Sequence, residues 1–157
     1  MKFLCTVRLD VSDENAFPLA AQTDEWALTG TFAFADTEPE RLQKKEQLAF
    51  RNGWLGTNSF GRATFVLIKE ISDEQYQLVV SRLAEYIFKY YGAPDIFVAI
   101  EAARREVEFA AGLCEHPIGT MLSIEREFTD NGISERFQVI QNQGEGMHAK
   151  IWSLVED

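Results

Sequence analysis

A chain of 157 residues lies within the range of one domain and can bury about 70% of its unfolded surface without disulfide or metal staples. Its composition, 46% hydrophobic and 25% charged, is that of a globular protein and excludes disordered and fibrous classes. With 25 acidic against 15 basic residues the formal charge is −10, which repels phosphate backbones and anionic lipid, so neither nucleic acid nor membrane is an expected partner.

No run approaches the ~18 apolar residues of a membrane span, and the opening MKFLCTVRLD passes straight into a charge-interrupted pattern, so no signal peptide is expected. Cys5 and Cys114 both lie in apolar patterns, where free thiols pack as small hydrophobes, and this places the chain in a reducing cytoplasm.

In chain order, residues 2–10 alternate, with Phe3, Cys5, Val7 and Leu9 on one face, and predict a half-buried first strand with Leu4 as its exception. Val11 to Asp24 is a loop with one short helical turn. Glu25 to Ala35 alternates again through Trp26, Leu28, Phe32 and Phe34 and predicts a second strand. Thr37 with Pro39 and Glu40 supplies an N-cap, an early proline and a capping acid, so a helix is expected from there to Gly53. NGWLGTNSFG reads as a structured loop, followed by a central strand from Arg62 to Ile71.

Ser72 and Gln75 form a capping box that opens a helix with Tyr76, Val79, Val80, Leu83, Ile87 and Tyr90 on one stripe. A further helix follows Gly92 and Pro94, with Ile96, Ile100, Ala103, Val107, Ala110 and Cys114 facing inward. Met121 to Phe128 and Ile133 to Ile140 flank a turn signal at Asn131 and Gly132; a two-residue turn there sets Ile124 opposite Val139 and Glu127 opposite Arg136. A last strand runs from Met147 to Val155. The order ββ-α-β-αα-βββ reads as one α+β domain over residues 1–157: a mostly antiparallel sheet of about six strands with about three helices.

Chemical motifs are weak. Gly56, Gly61 and Arg62 echo a phosphate-binding loop, but a helix precedes them, a strand follows, and the Lys-Ser/Thr ending is missing. His116 and His148 with the two cysteines lack the paired spacing of zinc sites, so no metal and no cofactor is expected. No serine stands in a nucleophile elbow, and no catalytic residue can be named. Glu125, Glu127 and Arg136 read as solvated cross-strand pairs, and Glu101, Arg104, Arg105 and Glu108 as a solvated helix face.

The opening KFLCTVRLD, the stretch EWALTGTFAFAD, the run GWLGTNSFGRATFV, the segment YYGAPD and the sequence REVEFAAGLCEHP together resemble a family of small bacterial proteins, found mainly in alphaproteobacteria and labelled only as a domain of unknown function. That resemblance implies no activity, cofactor or catalytic residue.

Two readings follow. The first is a non-catalytic accessory or protein-interaction domain, self-associating or bound to another protein through a sheet edge or an aromatic patch around Trp54 and Phe60; 3 tryptophans and 12 phenylalanines are hard for so small a chain to hide. The second is a small enzyme or small-molecule-binding protein with a pocket between sheet and helices, anchored by Arg62, Arg126 or His148.

Overall fold

The computed structural model describes residues 1–8, 12–142 and 152–156. Its strands are β1 (Lys2–Val7), β2 (Trp26–Leu28), β3 (Trp54–Gly56), β4 (Arg62–Ala63), β5 (Phe65–Glu70), β6 (Met121–Thr129), β7 (Gly132–Asn142) and β8 (Trp152–Glu156). The helices are α1 (Ser12–Ala16), α2 (Lys44–Asn52), α3 (Asp73–Tyr90) and α4 (Ile96–Gly112). The eight strands of the described residues form one sheet in the order β4-β3-β2-β1-β5-β6-β7-β8, and every neighbouring pair is antiparallel. The chain is a single α+β domain, as its pattern predicts, with two more short strands than expected. No helix among the described residues is long and apolar enough to cross a membrane.

β1 lies at the centre, with β2 on one side and β5 on the other. Four consecutive residues, Phe3, Leu4, Cys5 and Thr6, are therefore buried, so the strand is covered on both faces and Leu4 is no exception. The α3 capping box forms as expected, Ser72 Oγ accepting from Gln75 N at 3.1 Å, and the helix buries Val79, Val80, Leu83, Ala84 and Ile87. α4 is capped by Asp95, which accepts from Val98 N at 3.0 Å. Its buried stripe is Ala99, Ala103, Val107 and Ala110, rotated from the expected one so that Ile96 stays exposed. Small side chains let α4 approach β1 and β2 closely while α3 packs along its flank.

Three elements depart from expectation, each for a local reason. The alternation from Glu25 to Ala35 is strand only as far as Leu28, because Gly30 turns the backbone to φ 73° and Thr31–Phe34 closes as a 3-10 turn. The helix expected from Thr37 begins at Lys44, since the reciprocal capping box belongs to Gln43 and Glu46, while Pro39–Arg41 makes a separate 3-10 turn. The strand expected from Arg62 to Ile71 breaks at Thr64, whose hydroxyl donates to the buried Asp13 carboxylate at 2.7 Å.

The C-terminal hairpin turns at Asp130 and Asn131, so Ile124 faces Phe137 and Glu125, not Glu127, faces Arg136. Both turn residues keep negative φ, and the positive φ falls on Gly132, the i+3 position that a type I turn favours. Thr129 Oγ1 ties the corner by donating to Gly132 O at 2.7 Å. Each strand slips by one residue, so the pairing shifts by two and the apolar face is preserved. The expected strand from Met147 is seen as β8 from Trp152; Met147 to Ile151, His148 included, lie outside the described residues.

Candidate functional site: an aromatic cleft over a buried arginine

Gly30 stands where the chain must pass close to Leu55 and Arg62, and a Cβ there would lie 2.5 Å from Leu55 Cβ and 2.6 Å from Arg62 Nη1. The turn it starts wraps two guanidinium groups. Arg62 donates from Nη1 to Thr29 O at 3.3 Å and Gly53 O at 3.2 Å, and from Nη2 to Gly30 O at 3.1 Å. Arg126 donates from Nε to Thr31 Oγ1 at 2.6 Å, from Nη1 to Phe50 O at 2.7 Å, and from Nη2 to the same Thr29 carbonyl that Arg62 uses. The Phe34 ring lies 4.8 Å from the Arg62 guanidinium carbon and 5.6 Å from that of Arg126.

Arg62 is 7% exposed and Arg126 1%. Glu135, opposite Arg126 in the hairpin, is the acid of this cluster: it lies 3.9 Å from Arg126 Nε and accepts from the Thr31 hydroxyl. Burial lowers the Arg62 guanidinium to about 10 against the influence of Tyr91 and Tyr86. Burial first and then Arg62 lower Arg126 to about 9, with Glu135 acting the other way. Both remain cations at neutral pH, and Arg62 is held by neutral carbonyls with no carboxylate in contact among the described residues.

Arg62 opens onto a cavity of about 450 Å³ whose walls include Phe34, Leu55, Phe60, Tyr86 and Tyr91. Glu46 stands at its edge, its Oε1 accepting from Gln43 N at 2.8 Å in the α2 cap. A second cavity, of about 680 Å³, lies beyond Phe60 and Tyr86 and is lined by Asn58, Ser59, Arg82, Glu85, Lys89 and Tyr90. Phe60 and Tyr86 border both spaces and stack face to face, with centroids 3.8 Å apart and planes 2° from parallel. Tyr91 continues the aromatic wall, 5.5 Å from Tyr86 and 5.3 Å from Phe32. Burial raises the Tyr86 hydroxyl to about 12, helped by its hydrogen bond to Tyr91.

Phe60 is held in the left-handed region, φ 58°, a conformation rare for a bulky side chain. The buried Glu25 carboxylate maintains it. Glu25 Oε1 accepts from Asn58 N at 2.9 Å and Ser59 N at 2.8 Å, and Oε2 from Ser59 Oγ and Gln22 N, both at 2.6 Å. Gly56 passes so near this carboxylate that a Cβ would collide with Glu25 Oε1. Gly61 leaves room for the chain at Ala20 and Ala21, which pairs with Arg62 through Ala21 N to Arg62 O at 2.9 Å and Arg62 N to Leu19 O at 2.8 Å. The loop from Thr57 to Gly61 thus joins β3 to β4 and presents one aromatic ring, with no phosphate-binding turn before a helix.

Of the five residues singled out in the sequence, Phe60 and Arg62 meet in the cleft. Arg126 lies behind Arg62 and stabilises the turn they share. Trp54 is fully buried, 5.8 Å from Phe137 and without a partner for Nε1 among the described residues, and takes no part in the cleft. His148 lies outside the described residues. Glu25, Phe34, Tyr86 and Tyr91 were not singled out: Glu25 looks like a strand boundary in sequence, and the tyrosines look like the exposed end of a helix. Cys5 and Cys114 are buried free thiols that burial pushes up to about 11, which disfavours a nucleophilic role.

No curated protein and no solved structure matches the chain. A family model described as a family of unknown function, DUF6505, matches residues 1–153, and the chain belongs to that family.

Proposed function

We propose that the domain binds a small molecule in the cleft between the Thr57–Gly61 loop and α3, and that it acts by binding without covalent chemistry. The observation that carries this reading is the backbone of Phe60. A left-handed phenylalanine costs on the order of 1–3 kcal/mol and persists only where its surroundings over-determine it. Here three hydrogen bonds from the loop to one buried carboxylate, itself anchored by Gln22 N, hold the loop so that the ring stands between two cavities. The ring stacks on Tyr86 and packs against the core, and the pair borders both cavities, where a planar ligand can lie on it. The cavity volumes, about 450 and 680 Å³, fall in the range typical of small-molecule sites.

The test is a screen of fragment-sized aromatic compounds by ligand-observed NMR against the wild-type chain and Phe60→Ala. The reading expects compounds that bind the wild type, shift the amides of Phe60, Gly61 and Tyr86, and lose at least tenfold in affinity in Phe60→Ala. Hits that map elsewhere, or that ignore the substitution, would refute it.

A second reading, a protein-interaction or self-association domain, draws on the outer surface of the helices. Phe97 is 75% exposed, and Leu78, Phe88 and Phe109 are each close to half exposed. If it holds, Phe97→Asp dissociates a complex or dimer seen by sedimentation; a wild-type chain that is monomeric and recovers no partner counts against it. Both readings are set in the cytoplasm of a bacterium, in the alphaproteobacterial setting that the sequence resemblance implies.

A further inference from the structure

We infer that the ligand of the cleft is a planar aromatic anion, of the aryl carboxylate class, whose carboxylate meets Arg62 at the cavity floor while its ring lies against Phe60, Tyr86 and Tyr91. This rests on the cleft being a small-molecule site and adds the charge and shape of what it takes.

A buried cation is ordinarily matched by a carboxylate. Arg62 has none. Its acceptors are the carbonyls of Thr29, Gly30 and Gly53, all bonded through Nη1 and Nη2, which leaves Nε uncommitted on a side chain that lines the cavity. The guanidinium of Arg126 shares the Thr29 carbonyl and adds a second positive charge behind the first, while Glu135 contacts the Arg126 side of the cluster. Two buried cations against one carboxylate leave the cavity floor positive. The overall charge of −10 makes this local excess stand out, and it continues into the adjoining cavity, where Arg82 and Lys89 outnumber Glu85. The acid in the Arg62 cavity, Glu46, is tied to the α2 cap at the edge and is not in contact with the guanidinium.

The walls select shape. Phe34 already covers one face of the guanidinium, and the Phe60 and Tyr86 rings stack on each other parallel to within 2°, so a flat ligand ring would extend that stack from outside and not enter between them. The Tyr86 and Tyr91 hydroxyls share a hydrogen bond, which leaves one of their two protons to donate to a ligand. A carboxylate at Arg62 meets donors that the three carbonyls leave over, Nε–H and one Nη2–H, and neutralises the buried charge together, which a neutral amide of the same shape cannot do.

The experiment compares benzoate and 2-naphthoate with benzamide and 2-naphthamide on the wild-type chain, at matched ionic strength, by titration followed in 1H-15N spectra. The inference expects the acids to bind at least tenfold more tightly than the amides, with saturating shifts at Arg62, Phe60 and Tyr91, and no comparable shifts from chloride or inorganic phosphate. Acids and amides binding equally would overturn the anion while leaving the cleft as a binding site. No binding of either would overturn both. Saturation by phosphate with equal strength would overturn the aromatic requirement. Arg62→Met, if it folds, abolishes the preference for acid over amide. Leu42→Trp, which enlarges a side chain on the cavity wall and keeps Arg62, lowers acid binding at least tenfold; unchanged binding in that variant also overturns the assignment.

Discussion

Replacing Glu25 by glutamine separates the hydrogen-bond clamp on the Phe60 loop from ordinary packing, because the two side chains have nearly the same shape. The carboxylate accepts four hydrogen bonds, two at each oxygen, and the residue is 2% exposed. The amide has one oxygen, so its NH2 group must take one of the two positions. At Oε1 it would confront the backbone N–H groups of Asn58 and Ser59, neither of which can turn to accept. At Oε2 it meets the Ser59 hydroxyl, which can rotate and accept, but it leaves Gln22 N without a partner. The second arrangement is the cheaper. One orphaned buried N–H costs about 1–3 kcal/mol, and the bonds that remain lose charge assistance worth about 1 kcal/mol together or more, for a total of about 3 kcal/mol.

For a chain of this length that total is a fall in Tm of about 6–12 °C, with little change in the denaturant slope if the denatured state is unaffected. Thermal and urea unfolding at neutral pH measure it. Hydrogen exchange adds the location: the amides of Asn58 and Ser59 should lose protection before those of β1. A drop in stability below about 1 kcal/mol, or protection at Asn58 and Ser59 unchanged from wild type, would show that the loop holds its shape without the carboxylate.

Other substitutions test neighbouring parts of the same account. Gly61→Ala places a Cβ 2.6–2.7 Å from the backbone of Ala20 and Ala21, so it should lower stability by several kcal/mol and free the Leu19 segment for proteolysis; a wild-type digestion pattern contradicts this. Gly112→Ala is the counter-case, at the end of α4 with nothing within 4 Å of the new Cβ, and should raise stability by about 0.4–1 kcal/mol in urea titration. Cys5 and Cys114, with thiols raised to about 11, should resist a disulfide-exchange reagent at pH 8 in the folded chain and react together on unfolding. Glu106 has its pKa raised by burial and then by Glu135, so the folded state favours its protonated form and this residue's contribution to stability falls as pH rises above the usual carboxylate range. Glu106→Gln should therefore be more stable than wild type at pH 7 and close to it near pH 4, as read from paired urea curves.

The legible parts of the fold were those written in long periodic patterns. α3 carries its cap and its stripe together, and the C-terminal hairpin carries alternation on both sides of a turn, so a slip of one residue in each strand still placed Ile124 and Leu122 inward. The stretch TGTFAF misled because alternation of large and small residues has a second use. It wraps Phe34, the Thr29 and Gly30 carbonyls and the Thr31 hydroxyl around two guanidinium groups that arrive from Arg62 and Arg126, distant in the chain. The cleft was half legible. Phe60 and Arg62 lie in one conspicuous run, but the partner that makes Phe60 meaningful, Tyr86, follows helical spacing and is indistinguishable in sequence from a surface residue. A buried carboxylate such as Glu25 has no local signature at all, since its four donors come from two separate loops.

The two arginines, though they share a carbonyl, have different work, and the difference can be separated by substitution. Arg126 is enclosed: Nε, Nη1 and Nη2 are all bonded, Glu135 is near, and the side chain does not border the Arg62 cavity. Truncating it leaves the carbonyls of Thr29 and Phe50 and the Thr31 hydroxyl short of a donor in the interior, a loss of several kcal/mol. Arg62 has similar scaffolding duties toward Thr29, Gly30 and Gly53 but leaves Nε unbonded on a side chain that lines the cavity. Its conservative replacement by lysine keeps the charge and gives up the fork that reaches three carbonyls at once. Arg126→Lys should therefore lower stability and leave the acid-to-amide preference of the cleft where it was, while Arg62→Lys should lower stability and also shrink that preference. Urea unfolding and benzoate titration on both variants give the two numbers needed. Equal loss of selectivity in both would mean that the cavity senses the summed charge of the pair and not the geometry of Arg62, and the division of labour drawn from their hydrogen bonds would fail.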